Sequence, residues 1–304
     1  MFITKKGYRV EGIGYRKNYF KKFFLLLLFT LPSPPSRTGP PPGNRSYPEH
    51  CEGISLIPCV YADENRFLSP DYVKRVGSDL KELPSKPVRW SGKQWLLAGG
   101  VLAATAGAFS VDGDIRQHFR SHRNNFLGGM SEAVTHFGDY KYQLPLLSAF
   151  WIAGATTGNG LMSKIASDGA EASLLAAGMI TPAIVYISGR ALPSAGERAM
   201  LFRGFTPGRY SFPSGHTTEA FAMAAVLDVN LRKHFGYWHS PVVYSIAAAV
   251  AESRIYDHKH YLSDVILGAG IGWSVGWWIA SKPRNGPKLA LMPLPGGLAA
   301  VWRF

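Results

Sequence analysis

Beyond residue 93 the chain alternates between apolar stretches and polar segments, with apolar runs near 94–111, 143–162, 172–189, 217–227, 241–251 and 265–280. Their lengths, and their content of Ala, Leu, Gly and Met, predict helices and not strands. The predicted fold class is all-α, a bundle of about six helices embedded in a membrane or docked on one. Several stretches fall short of the roughly 20 residues that a spanning helix needs. Gly268-Ala269-Gly270-Ile271-Gly272 gives the last stretch a face that lets another helix approach closely. Trp273, Trp277 and Trp278 fit two settings, a membrane interface and a packed core.

The first 92 residues follow a different pattern. A basic stretch runs to Lys22, and nine apolar residues, Phe23 to Leu31, come before Pro-Ser-Pro-Pro-Ser. Nine residues are too few to span a bilayer, and the order of basic flank and short apolar core resembles a signal peptide. Residues 32–48 are rich in Pro, Gly and Ser and read as an extended linker. The expected organisation is a leader-like segment 1–31, a linker and ill-defined region 32–92, a helical domain 93–282 and a tail 283–304. Cys51 and Cys59 close a short loop. They form a disulfide if that loop lies outside the cytoplasm and are idle thiols otherwise.

Charged residues are only 17% of the chain, against about 25% in an average soluble domain, and eight Trp accompany them. The net charge is +13, and residues 1–50 carry nine Lys/Arg against two Asp/Glu. No motif that reads RNA or DNA goes with this charge. We read it as membrane orientation and attraction to anionic lipid, with no nucleic-acid partner.

Two segments carry candidate chemistry. In Ser211-Phe212-Pro213-Ser214-Gly215-His216 a tight turn opens a helix, whose first amides and positive dipole end form a cradle for phosphate. Ser214 adds a hydroxyl, and His216 stands where a proton could be delivered. An ordinary helix cap is the plainer reading of such a turn. The second segment runs from Ser253-Arg254 to His260 and Asp264. If the segment from His260 is helical, His260 and Asp264, four apart, share one face, so the carboxylate can hold one ring nitrogen and leave the other as base or nucleophile. Arg254 supplies a planar guanidinium for an oxyanion.

Together these segments resemble motifs two and three of the type-2 phosphatidic acid phosphatase and vanadium haloperoxidase superfamily, over roughly residues 93–282. The resemblance implies a helical core in which His260 attacks phosphorus and forms a phosphohistidine. It further implies that Asp264 orients His260, that His216 protonates the leaving oxygen, and that Arg254, Ser214 and the Gly215 backbone hold the oxyanion. No metal or other cofactor is implied, and His118, His122 and His136 sit in polar stretches as surface residues. The expected partners are a membrane and a phosphomonoester such as phosphatidic acid or an isoprenyl (pyro)phosphate.

The family's first motif, Lys-x-x-x-Gly-Arg-x-Arg-Pro, is altered. The aligned residues run from Val185 to Pro193, with Gly189, Arg190 and Pro193 fitting, Val185 in place of Lys and Leu192 in place of Arg. Each missing charged contact is worth about 1.5–3 kcal/mol. Arg190 is the expected substitute, with Arg198, Arg203 and Arg209 in the loop that follows. Three functions therefore compete: a phosphatase, a vanadate-dependent haloperoxidase and a phospholipid-binding relic.

Threading adds a side. In a serpentine of spanning helices the three motif segments fall together, with Arg232, Lys233, Lys282, Arg284 and Lys288 on the opposite, cytoplasmic side. The site then faces outwards from a cell envelope, periplasmic or extracellular. Six spanning helices need residue 93 inside, whereas a cleaved signal peptide would place it outside. Either the first ninety residues stay cytoplasmic, or the domain is exported without this threading.

Overall fold

The computed structural model describes residues 70–282 apart from Glu197, Thr206, Pro207 and Arg209, and the backbone of residues 289–294 and 297–302. The expectations for residues 1–69, including the leader, Cys51 and Cys59, lie outside the described residues, as does Arg209.

The class is all-α. α1 (Pro70–Glu82) leads through two 3-10 turns into α2 (Gly92–Ser121), α3 (Asn125–Thr135), α4 (Tyr140–Thr157) and α5 (Gly160–Leu175). A π turn, Ala176–Ile180, joins α5 to α6 (Thr181–Ser188), and α7 (Gly215–Phe235), α8 (Ser240–Tyr256) and α9 (Leu262–Ser281) complete the bundle. Near the end Leu289–Leu294 pairs antiparallel with Gly297–Trp302.

Two boundaries differ from the apolar pattern. The stretches 143–162 and 172–189 become helices broken at Gly158 and Asn159, where Gly158 takes φ +70° and Asn159 Oδ1 accepts from the amides of Leu161 and Met162. Apolar content runs through this break, but a left-handed glycine followed by a capping Asn stops one helix and starts the next. The π turn also has a local cause. Pro182 has no N–H, so the preceding turn widens and Thr181 N–H bonds to Ala176 O.

Residues 70–89, placed by the sequence in the ill-defined region, are helical. Tyr72 and Val76 of α1 are buried one turn apart, and Leu80 packs on the core. Arg75 pairs with Glu171 of α5 at 3.1 Å, and Lys282 pairs with Asp79, which pins α1 to the bundle.

The centre is α7 against α9. A Cβ on Gly268, Gly272 or Gly276 would strike the backbone of Ser214, Thr218 and Ala222, so these glycines let the two helices meet backbone to backbone. Ala172, Leu175, Val226, Val275 and Ile279 fill the space beside them. Truncating Leu175, which is fully buried, to Ala would cost about 2–5 kcal/mol.

Three helical segments are long and apolar enough to cross a membrane: Gly92–Ser121, Gly160–Ser188 and Leu262–Ser281. Trp95, Leu96, Leu97 and Leu102 on the outer face of α2 are exposed, as expected of a surface that meets lipid.

Candidate active site

The three motif segments meet at one end of the bundle. α7 and α9 both begin there, and Ser214 N–H donates to Asp264 O at 3.1 Å, tying their starts together. Ser214 is fully buried and its Oγ accepts from Thr217 N–H (3.4 Å) and Thr217 Oγ1–H (2.9 Å). It is the N-cap of α7. Ser214 Oγ accepts within the helix start and keeps its own hydroxyl hydrogen as a donor, and the Gly215 amide, at the first helical position, has no intrahelical acceptor.

His216 follows on the same turn. Gly138 allows it to sit there, because a Cβ at 138 would lie 2.5 Å from the His216 carbonyl oxygen. Burial, then the nearby charges of Arg254 and His260, push the His216 pKa down to about 4. In the empty site its imidazole is therefore neutral at pH 7, and an anion beside Arg254 would draw a proton back to it.

α8 ends in the second motif. Arg254 is largely buried, donates from Nη1 to Thr135 Oγ1 at 2.6 Å and lies 3.7 Å from Asp257. Its carbonyl accepts from the amides of Lys259 (3.0 Å) and His260 (3.2 Å), which folds the loop back on itself. His258 takes φ +54° within this loop.

His260 is oriented by a group that the sequence does not single out. Its Nδ1 lies 2.7 Å from the carbonyl of Ser211, while the Asp264 carboxylate stands at 3.7 Å. A carbonyl can only accept, so Nδ1 carries the hydrogen, and in the neutral imidazole the lone pair is on Nε2. His260 lies in the bend before α9, not on the helix face that its four-residue spacing from Asp264 suggested; Asp264, fully buried in the first turn of α9, supplies negative charge behind the ring and accepts from Tyr261 N–H at 2.7 Å.

Arg190 does not stand where the sequence suggested. It was expected to replace the lost phosphate-binding cations, but it is 0% exposed and its guanidinium is fully engaged inside the protein. Nη1 donates to Asp264 Oδ1 and to Ser263 Oγ (2.6 Å), Nη2 to Asp112 Oδ2 (2.6 Å) and Nε to Ala199 O (2.9 Å). The rings of Tyr261 and Phe109 lie 4.1 and 4.8 Å from its Cζ. A short loop carries it there: Gly189 takes φ +57°, and Arg190 pairs with Phe202 across a β-bridge. Asp112 is the partner that the sequence reading passed over; it stands with Asp114 just past the apolar run 94–111 of the same helix.

A cavity of about 470 Å³ opens at His260, lined by Gly215 and by Ala177, Thr181, Pro182, Val185 and Tyr186 from the π turn and α6. Val185, in the place of the motif lysine, makes this wall apolar. The sequence-named residues His260, His216, Arg254, Gly215 and Asp264 are thus together, and Arg190 lies behind them. His118 and His122 are exposed and stack on each other at 4.3 Å. Among the described residues no group of three or more His, Cys, Asp or Glu is placed to hold a metal ion.

This arrangement has known counterparts. Residues 170–286 match the family model of the PAP2 superfamily. The chain is 38% identical over 73 residues to a lipid A 1-phosphatase of Porphyromonas gingivalis (23% of this chain, 16% of that protein). It is 36% identical over 76 residues to a lipid A 4'-phosphatase of the same organism (25% and 31%). The chain thus spans less than a third of the length of these relatives. Among solved structures it resembles a transmembrane PAP2-type phosphatidylglycerolphosphate phosphatase from Bacillus subtilis, with 24% identity and a TM-score of 0.47 over 62% of this chain and 94% of that one. The segment that matches the family model holds His216, Arg254, His260 and Asp264.

Proposed function

We propose that the chain is a membrane phosphatase that hydrolyses phosphate monoesters carried on lipids, through a phosphohistidine at His260. The observation that carries this reading is the 2.7 Å contact of His260 Nδ1 with the Ser211 carbonyl, which leaves Nε2 as the other ring nitrogen of a residue that lines an apolar cavity near Arg254 and His216.

In the first step Nε2 of His260 attacks phosphorus and the P–O bond to the lipid breaks. His216 gives its proton to the leaving oxygen. Arg254 and the Gly215 amide stabilise the charge on the equatorial oxygens. In the second step His216 takes a proton from water, the water oxygen bonds to phosphorus and the P–N bond breaks, which releases inorganic phosphate. The apolar wall at Ala177, Pro182 and Val185 suits the hydrocarbon next to a lipid phosphate, such as phosphatidic acid or an isoprenyl (pyro)phosphate. No step draws on a metal ion, and the site faces outwards from the cell envelope in the threading that puts Arg232 and Lys282 inside.

A second reading rests on Val185. With no cation on that wall the site would bind a phospholipid without turning it over. Phosphate release from detergent-dispersed phosphatidic acid, with and without EDTA, tests both. Release that survives EDTA and is inhibited by orthovanadate supports the phosphatase, since five-coordinate vanadate on His260 mimics the transition state. Release lost in EDTA and restored by zinc or magnesium overturns the metal-free mechanism, and no release from any lipid phosphate supports the binding relic.

A further inference from the structure

We propose that Arg190 and Asp112 are positioning residues for His260, acting through Asp264 on one side and Ser211 on the other. The inference rests on the reading of His260 as nucleophile and extends it to a residue on each of two other elements.

Two carboxylates, Asp112 of α2 and Asp264 of α9, are buried together, at 1% and 0% exposure. Among the described residues Arg190 is the one cation that reaches both. A buried, uncompensated carboxylate is far more costly than a paired one, so each acid depends on this guanidinium. The fork is planar, and its two terminal nitrogens point to different acids, which fixes the Asp264 carboxylate in angle as well as in charge. Ser263 closes the network. Its amide donates to Asp112 Oδ1 at 3.0 Å, and its hydroxyl lies 2.5 Å from Asp112 Oδ2. Asp112 therefore holds the first turn of α9, one residue from Asp264 and three from His260.

The backbone of the same arginine works from the other side. Arg190 O accepts from Ser211 N–H at 2.9 Å, and Ser211 Oγ donates to Ala191 O at 3.1 Å. These bonds set the Ser211 carbonyl, which in turn holds Nδ1 of His260 at 2.7 Å. Both restraints on the imidazole, the carbonyl ahead of Nδ1 and the carboxylate behind it, thus trace to residue 190. A residue that positions the nucleophile without touching phosphate should change turnover and leave substrate binding alone.

The test uses the full chain in detergent micelles and four proteins: the parent, Arg190→Met, Arg190→Met with Asp112→Asn, and His260→Ala. Arg190→Met alone leaves two buried anions without their cation and is expected to fold poorly. The double variant removes one anion with the cation, so folding recovers while the contact to Asp264 stays lost. We expect its kcat to be down about ten- to hundredfold with KM within about twofold of the parent, the scale at which supporting hydrogen-bond partners act. In ¹⁵N-histidine spectra the His260 signal, assigned by its absence in His260→Ala, should lose the single Nδ1–H tautomer of the parent. Parent-like kcat and tautomer in the folded double variant would overturn the proposal, as would failure of the double variant to fold, since Arg190 would then be structural only. Activity that persists in His260→Ala would instead overturn the reading of the nucleophile on which this inference stands.

Discussion

At the end of the bundle where α7 and α9 begin, Asp112 and Asp264 are paired with an arginine that is 0% exposed and enclosed by aromatic rings. At the end where these helices finish, Asp168 is as deeply buried, but its partner is Lys164, 2.6 Å away and with 27% of its side chain in contact with solvent. Asn230 Nδ2 and the carbonyl of Ala280 complete that second cluster. Lys282, with 23% of its side chain in contact with solvent, pairs with Asp79 and stands 4.0 Å over the ring of Trp278. Both ends neutralise buried carboxylates. Lysines that reach outward keep their charge hydrated, which lowers the cost of the pair and leaves it free to rearrange. A sealed guanidinium loses that hydration and in return holds fixed geometry. The far end ties helices together; the near end aims a side chain.

The comparison breaks most sharply at His260. His260→Ala is expected to lower phosphate release by roughly a thousandfold or more, as removal of a nucleophile does in enzymes with a covalent intermediate. Circular dichroism should show an unchanged helical fold, because His260 stands in a loop outside the hydrophobic core clusters. Residual turnover within tenfold of the parent would move the nucleophile elsewhere.

How much of this was legible in the sequence differs between the two parts of the site. His216, Arg254, His260 and Asp264 lie in two short segments that resemble family motifs, so their convergence could be read, although His260 stands in the bend before α9 and not on a helix face with Asp264. Arg190 could not be placed, since its destination depends on how the loop from Gly189 to Ser211 folds. Its proximity to the missing motif cations suggested phosphate, and tertiary packing sent it to Asp112 and Asp264 instead. The Ser211 carbonyl carries no side-chain signal at all, because any residue would offer the same oxygen. In the fold, helical class and close glycine packing followed from composition, whereas the break at Gly158-Asn159 was hidden by apolar residues on both sides. α3, only 11 residues with two glycines, gave no apolar run to find.

His216 gives the next largest effect. His216→Asn should slow alkyl phosphates by about a hundredfold or more and aryl phosphates much less, since an aryl leaving group departs without a proton. Equal losses on both would remove it as general acid. Its lowered pKa adds a stability signature. As pH falls from 6.5 to about 4, the unfolded chain takes up a proton at this position that the folded chain refuses, so folding stability drops across that window by up to about 3 kcal/mol. Above pH 6.5 both states are neutral there and the contribution vanishes. Melting curves in detergent from pH 7 to pH 4 should show a smaller loss for His216→Asn than for the parent.

A gain of function sharpens the contrast at the cavity wall. Val185 lines the cavity and is half-buried, while Leu192 is not among the lining residues. Val185→Lys is therefore the substitution that brings a cation to the phosphate, and one regained charged contact of about 1.4–3 kcal/mol would raise kcat/KM roughly ten- to hundredfold. Leu192→Arg should do less. A binding relic would respond to neither, with phosphate release at background before and after.

The smallest effect on turnover is expected at the far end. Asp168→Ala removes one acceptor of Lys164 and one of Asn230, which keep the Ala280 and Val226 carbonyls respectively. Lys164 is long and partly solvated, so it can turn its ammonium to water, and the loss is limited to the hydrogen bonds and packing at Asp168, about 1–3 kcal/mol. Thermal melting should record that loss, while kcat and KM stay within about twofold of the parent at temperatures where both proteins are folded. The reason is distance along the bundle. From Asp264 to Ala280, α9 rises about 24 Å at roughly 1.5 Å per residue, and the ion pairs of the two clusters among the described residues are made by different side chains. A tenfold fall in kcat with the fold intact would mean that the anchor and the aimed site are one network, and the distinction between the two ends would fail.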